Sequence, residues 1–262
     1  MPITINSRIL LSLASIAAAA ALLIGATFAF FSDSETSTGN TFTSGTLDLK
    51  VDSQCHYFQN GSDVGCDDFG NWSQTDLEPG VHTFFDFDDT KPGDWGENTI
   101  SLHVVDNDAW GRFIIDNITD NGELRENMEF WIWVDQGDTP GFQGSDTGEG
   151  DNVWDPQTEP LVITPGTVDL PSETWNIWDA LTATWVFNGN IDTPGVVQDG
   201  RMVESTTYYF GLAWCFGEAD PSQGGLGACD GSGVGNDVQG DSLTGDLNFE
   251  VVQHRNNPNQ TF

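Results

Sequence analysis

Basic side chains are almost missing from this chain: Lys and Arg together number 7 against 41 Asp and Glu, a formal net charge of -34 at pH 7. Lysine is confined to Lys50 and Lys91. A surface so short of cations offers little to a phosphate backbone or an anionic lipid head group, so no nucleic-acid partner is expected. The acidity suits a solvated surface in a salty or extracellular medium. Copies repel at low ionic strength, and a Debye length of about 8 Å at physiological salt mutes that repulsion.

Catalytic signatures are missing as well. A zincin-type peptidase places two histidines one helical turn apart with a glutamate between them, so that both imidazoles face one metal. No His-Glu-x-x-His occurs, and His56, His82, His103 and His254 are scattered over a loop and three expected strands. Each reads as an exposed or hydrogen-bonded imidazole. There is no Gly-x-Ser-x-Gly nucleophile elbow either. Carboxylate pairs abound, but with 41 acidic residues they arise by chance and carry no information. No catalytic residue is assigned and no enzymatic activity is expected; a metal site assembled across distant strands is the route left open.

Cysteine is scarce but even in number: Cys55, Cys66, Cys215 and Cys229. Their spacings are too long for the Cys-x-x-Cys knuckles of structural zinc. In an exported chain such a set reads as disulfides. Three pairings are open, and the local pairs Cys55 with Cys66 and Cys215 with Cys229 are preferred because each closes a short Gly/Asp-rich loop.

Export itself is written at the N-terminus. After Arg8, an apolar run from Ile9 to Ala29 ends on Thr27-Phe28-Ala29, with small residues where a signal peptidase cuts. Cleavage is expected between Ala29 and Phe30. If Ala29 is not cut, the run is long enough for one membrane crossing of about 20 residues, and the protein is then a tethered surface domain.

The residues that follow are more specific. The small-x-Ala site leads into Phe30-Phe31-Ser32-Asp33, a Ser/Thr-rich spacer and Ser44-Gly45-Thr46-Leu47-Asp48-Leu49. This block resembles the TasA/camelysin family, whose members carry a signal peptide of the type processed by the dedicated signal peptidase SipW. Lys91-Pro92-Gly93-Asp94 and the segment from Asp241 to Gln253 support the resemblance. It implies one of two functions: TasA is a secreted subunit of biofilm-matrix fibres, and archaeal bundling pili look similar, whereas camelysins are surface metallopeptidases.

The rest of the chain has the period of strands. Leu47, Leu49 and Val51 alternate with Asp48, Lys50 and Asp52, as in a strand with one buried face. Further strands are expected at His82 to Phe87, Thr99 to Val105, Arg112 to Ile118, Met128 to Val134, residues 160 to 168, Thr206 to Cys215 and Leu243 to Gln253. Asp106-Asn107-Asp108 marks a hairpin or a crossing between sheets. Ser172 to Trp178 suggests one helical turn, and Gly137 to Asn152 a long Gly/Asp loop. The expected fold is all-β: an antiparallel, jelly-roll-like β-sandwich over residues 44–262, with long Gly/Asp-rich loops. Residues 1–29, a signal-peptide helix, and residues 30–43, a flexible segment, precede it.

Three further features bear on function. The 10 tryptophans fill a wide core or form a carbohydrate-binding platform. Carboxylates on turns, Asp86 with Asp88 and Asp106 with Asp108, are candidates for a structural calcium, although none has the spacing of an EF-hand loop. Asn-x-Ser/Thr sequons begin at Asn60, Asn71, Asn117 and Asn259.

Residues 30–43 are the candidate for assembly. An extended segment with apolar anchors at Phe30, Phe31 and Phe42 can add to an open sheet edge of a neighbouring copy, and head-to-tail contacts of that kind build filaments. A disordered or self-folded leader is the competing reading. The expectation is a protein secreted to the extracellular space or cell surface that self-associates into fibres and meets other matrix components. Its alternatives are a camelysin-like surface metallopeptidase and a carbohydrate-binding or adhesive module.

Overall fold

The computed structural model describes residues 46–66, 68–135, 154–169, 171–191, 195–220 and 228–262. The chain divides into two compact units, Met1–Ser44 and Gly45–Phe262, and the described residues all belong to the second. That unit is mostly β and antiparallel.

Seven strands form the larger sheet. They are β1 (Asp48–Gln59), β2 (Ser62–Asp63), β3 (Trp72–Thr75), β4 (Trp95–Val105), β6 (Met128–Val134), β7 (Leu161–Gly166) and β9 (Thr206–Phe216). Their order is β2-β1-β4-β9-β6-β7, with β3 also paired to β1. A smaller sheet joins β5 (Ala109–Asp120), β8 (Glu173–Asn176) and β12 (Leu243–Gln253) in the order β12-β5-β8. One helix, α1 (Ile177–Phe187), follows β8 directly. A ribbon of β10 (Glu218–Asp220) and β11 (Ala228–Asp230) extends from the end of β9.

The period-2 alternation of the strands decides what meets in the core. Ile100, Leu102 and Val104 of β4 and Tyr208, Phe210 and Leu212 of β9 face inward, where Phe113 of β5 meets them. The Phe113 and Phe210 rings touch edge to face at 5.1 Å between centroids, locking one sheet onto the other. The opposite faces of β6 and β9 are also covered: Trp131, Trp133 and Cys215 form a second, smaller cluster with Trp95.

Several sequence expectations hold. Met128–Val134 and Leu243–Gln253 are strands with the expected bounds, and β1 begins where the Leu/Asp alternation begins. Asp106-Asn107-Asp108 is a crossing between sheets, because β4 pairs with β1 and β9 while β5 pairs with β12 and β8. Asp106 turns the chain with φ 73°, a left-handed conformation that Asp tolerates.

Two expectations are corrected. His82 to Phe87 is no strand. Phe84 is buried and Phe85 and Phe87 half-buried, so apolar content there reflects packing by an irregular segment, not a ladder. Ser172 to Trp178 is not one helical turn but a short strand followed by an eleven-residue helix. Ile177, Ala180, Leu181 and Thr184 form its buried stripe at helical spacing, which overrides the weak propensity of its Thr, Val and Trp residues. The Gly137 to Asn152 loop lies outside the described residues.

Candidate functional site

A sandwich has two lateral openings where the edges of its sheets face each other, and this one treats them differently. On one side, the segment after β3 reaches into the core. Phe84 packs edge to face against Trp72 of β3 at 4.8 Å and against Phe249 of β12 at 5.7 Å. Leu77 and Phe85 pack alongside. The chain fills that opening with its own side chains.

The other opening holds a cleft. Edge strand β7 pairs only with β6, and edge strand β8 pairs only with β5, so each leaves one flank without a strand partner among the described residues. A cavity of about 130 Å³ lies between them, lined by Ile115, Phe130, Ile163, Val168 and Trp175, with Thr167 and Glu173 at its polar margin. Pro165 in β7 has no N–H to offer, which limits uncontrolled pairing on that edge. This cleft was not legible in the sequence. Its walls come from four strands and the segment after β7. Strands are expected at Arg112 to Ile118, Met128 to Val134 and 160 to 168, but nothing in those patterns shows that their side chains converge.

The signal-cleavage pair Ala29 and Phe30 and the anchors Phe30, Phe31 and Phe42 lie outside the described residues. Of the calcium candidates, Asp86 and Asp88 are exposed. Asp106 accepts a hydrogen bond from the Thr46 hydroxyl. Asp108 has both oxygens engaged, one by Arg201 Nε at 2.8 Å and one by the Glu204 N–H at 2.9 Å. Partial burial raises its pKa, but those two donors outweigh it and hold the carboxyl below its ordinary range. Among the described residues, no three His, Cys, Asp or Glu side chains gather into a group that could hold a metal ion.

The histidines have separate duties. His56 Nδ1 lies 2.9 Å from Asp63, the His82 Nδ1 accepts the Glu78 N–H, and His254 pairs with Asp199 at 3.3 Å while packing on Trp110. His103 sits in a polar line on the outer face of β1, β4 and β9. Its Nδ1 is 3.0 Å from Thr207 Oγ1, and its Nε2 is 3.1 Å from Asp52 and 2.7 Å from Ser101. A hydroxyl, an imidazole and a carboxylate are thus in contact. They stand on paired strands, whose backbone donors serve the ladder and are not aimed at a developing oxyanion.

Both preferred disulfides form, Cys55 with Cys66 and Cys215 with Cys229. The second ties β11 to β9. The Lys91-Pro92-Gly93-Asp94 motif has a structural duty beside it. Asp94 is buried and accepts from Tyr57 Oη at 3.0 Å and from the Lys91 N–H at 2.9 Å. Gly93, at φ 90°, donates its N–H to the Phe216 carbonyl at 2.8 Å. The turn therefore fastens the start of β4 to the end of β9.

Fold and cleft together define an antiparallel β protein of two facing sheets, closed on one side and open on the other. The family model described as camelysin metallo-endopeptidase matches residues 4–58, which take in the apolar run, the spacer and nearly all of β1. The likeness to the TasA/camelysin family seen in the N-terminal block is borne out over that stretch, which ends before any residue of the cleft. No curated protein matches the chain. No helix among the described residues is long and apolar enough to cross a membrane.

Proposed function

We propose that this chain is an exported structural subunit of extracellular fibres or surface matrix, assembled by strand donation. Residues 30–43 of one copy enter the cleft between β7 and β8 of the next. One observation carries the reading: the chain plugs one lateral opening with Phe84 and Phe85 and leaves a cleft of mixed polar and apolar lining between two edge strands at the other. An extended segment anchored by Phe30 and Phe31 has the chemistry to fill it, its backbone satisfying the free edges and its rings meeting Ile115, Phe130, Ile163 and Trp175. Donor and acceptor lie at different places on each copy, so the contact repeats without closing.

A second reading, a cell-surface metallopeptidase, draws support from the name of the matching family. The carbohydrate-binding alternative draws none from the tryptophans. All 10 are buried or half-buried, and they form no exposed row. Electron microscopy of the secreted, N-terminally sequenced protein tests the fibre reading, with filaments of a chain beginning at Phe30 expected. Casein hydrolysis blocked by a chelator, from a preparation without filaments, supports the peptidase instead.

A further inference from the structure

The four Asn-x-Ser/Thr triplets are alike in sequence, and the fold treats them unequally. Asn71 is held at both ends of its amide: its Oδ1 accepts the Cys55 N–H at 2.9 Å, and its Nδ2 donates to the Phe69 carbonyl at 3.1 Å. Asn117, at φ 51° where β5 and β12 slip in register, donates its Nδ2 to Asp246 at 2.8 Å and to Asp116 at 3.2 Å. Asn259 lies in a turn closed by reciprocal hydrogen bonds between the Asn257 side chain and the Thr261 backbone.

Asn60 differs from Asn71 and Asn117, whose amides are engaged. Gln59 pairs with Ser62 across the hairpin, so Asn60 and Gly61 are its two loop residues. Their φ values of 50° and 72° fit the left-handed pair that a type I′ turn requires. Such a tip turns its side chains outward. Asn60, Gly61 and Ser62 are all exposed, and the Asn60 amide has no hydrogen-bond partner among the described residues. The acceptor amide and the hydroxyl two residues on thus both stand on an exposed two-residue hairpin turn. Val64 beside it is 51% exposed and offers an apolar contact to a sugar ring.

We infer that Asn60 is a glycosylation site of the exported chain, the acceptor of an oligosaccharide carried on a lipid phosphate. In the transfer, Asn60 Nδ2 forms a bond to C1 of the sugar, the bond from C1 to the phosphate oxygen breaks, the amide loses one proton and the lipid phosphate departs. The site is compatible with assembly. Asn60 lies beyond β1 in the larger sheet, with β4, β9 and β6 between it and edge strand β7, so a glycan there leaves the cleft clear. The inference rests on export and not on polymerisation.

Mass spectrometry of peptides from the protein secreted by its native cells tests it. The peptide containing Asn60 is expected to carry a sugar-mass increment, while those containing Asn71 and Asn117 have their bare masses. Asn60→Asp keeps a residue that tolerates the turn, and Ser62→Ala keeps the asparagine and removes the hydroxyl; each is expected to abolish the increment. A bare Asn60 peptide from secreted protein, an increment that survives in Ser62→Ala, or sugar on Asn71 or Asn117 overturns the assignment.

Discussion

Tyr57 donates its hydroxyl hydrogen to the buried carboxylate of Asp94 at 3.0 Å, joining β1 to the turn that opens β4. Burial, with the nearby Asp94 charge, pushes the Tyr57 phenol up to about 12, although the Gln59 amide opposes this. A raised phenol pKa means the folded state keeps the proton longer than the unfolded chain. Its contribution is complete below the unfolded value near 10 and is lost as pH rises from there through about 12. Phenolate absorbance is expected to show Tyr57 titrating late, and Tyr57→Phe to lower stability by about 1–2 kcal/mol in denaturant, because Asp94 loses a donor.

Gly211 stands under Trp133. A methyl group at Gly211 would overlap the Trp133 indole, which is itself buried between strands. Gly211→Ala is therefore expected to destabilise the fold by about 1–3 kcal/mol through overpacking. Chemical denaturation checks this, and an unchanged midpoint would show that the ring can move aside.

The disulfides close short loops, with sequence separations of 11 and 14. Replacing both members of either pair by alanine is expected to cost about 3 kcal/mol, mainly by releasing the unfolded chain. Non-reducing peptide mapping is expected to recover Cys55 linked to Cys66 and Cys215 linked to Cys229. A cross-linked peptide joining the two loops would contradict the structure.

How far the sequence revealed this molecule depends on what each residue pattern encodes. Leu243 to Gln253 and Met128 to Val134 were legible because period-2 alternation or a dense β-branched and aromatic run leaves little choice of element. His82 to Phe87 misled because the same aromatics serve equally to plug an opening between sheets, and nothing local distinguishes a ladder from a plug. The helix from Ile177 was underestimated because its spacing was right but its residues have weak propensity. The cleft was not legible, since Ile115, Phe130, Ile163 and Trp175 converge only through sheet order.

Arg201 clamps Asp108 while also reaching Asp199 at 2.8 Å, which holds the crossing after β4 to the segment before β9. Because the Asp108 pKa is lowered in the fold, its contribution is present above the ordinary carboxylate value near 3.8 and is lost as pH falls through the depressed one. Arg201→Gln is expected to lower stability at neutral pH by roughly 1 kcal/mol and to flatten the acid limb of a stability profile. An unaltered acid limb would assign that limb to other carboxylates.

The central claim is that copies join through the N-terminal segment and the cleft between β7 and β8. It is tested most directly by electron microscopy of secreted protein in three forms: unaltered, lacking Phe30 to Asn40, and carrying Thr167→Trp at the exposed margin of the cleft. Filaments are predicted from the first alone, with both variants recovered as folded monomers of unchanged circular dichroism. Filaments of normal length from the deletion variant would contradict strand donation, and filaments from Thr167→Trp alone would place the acceptor elsewhere.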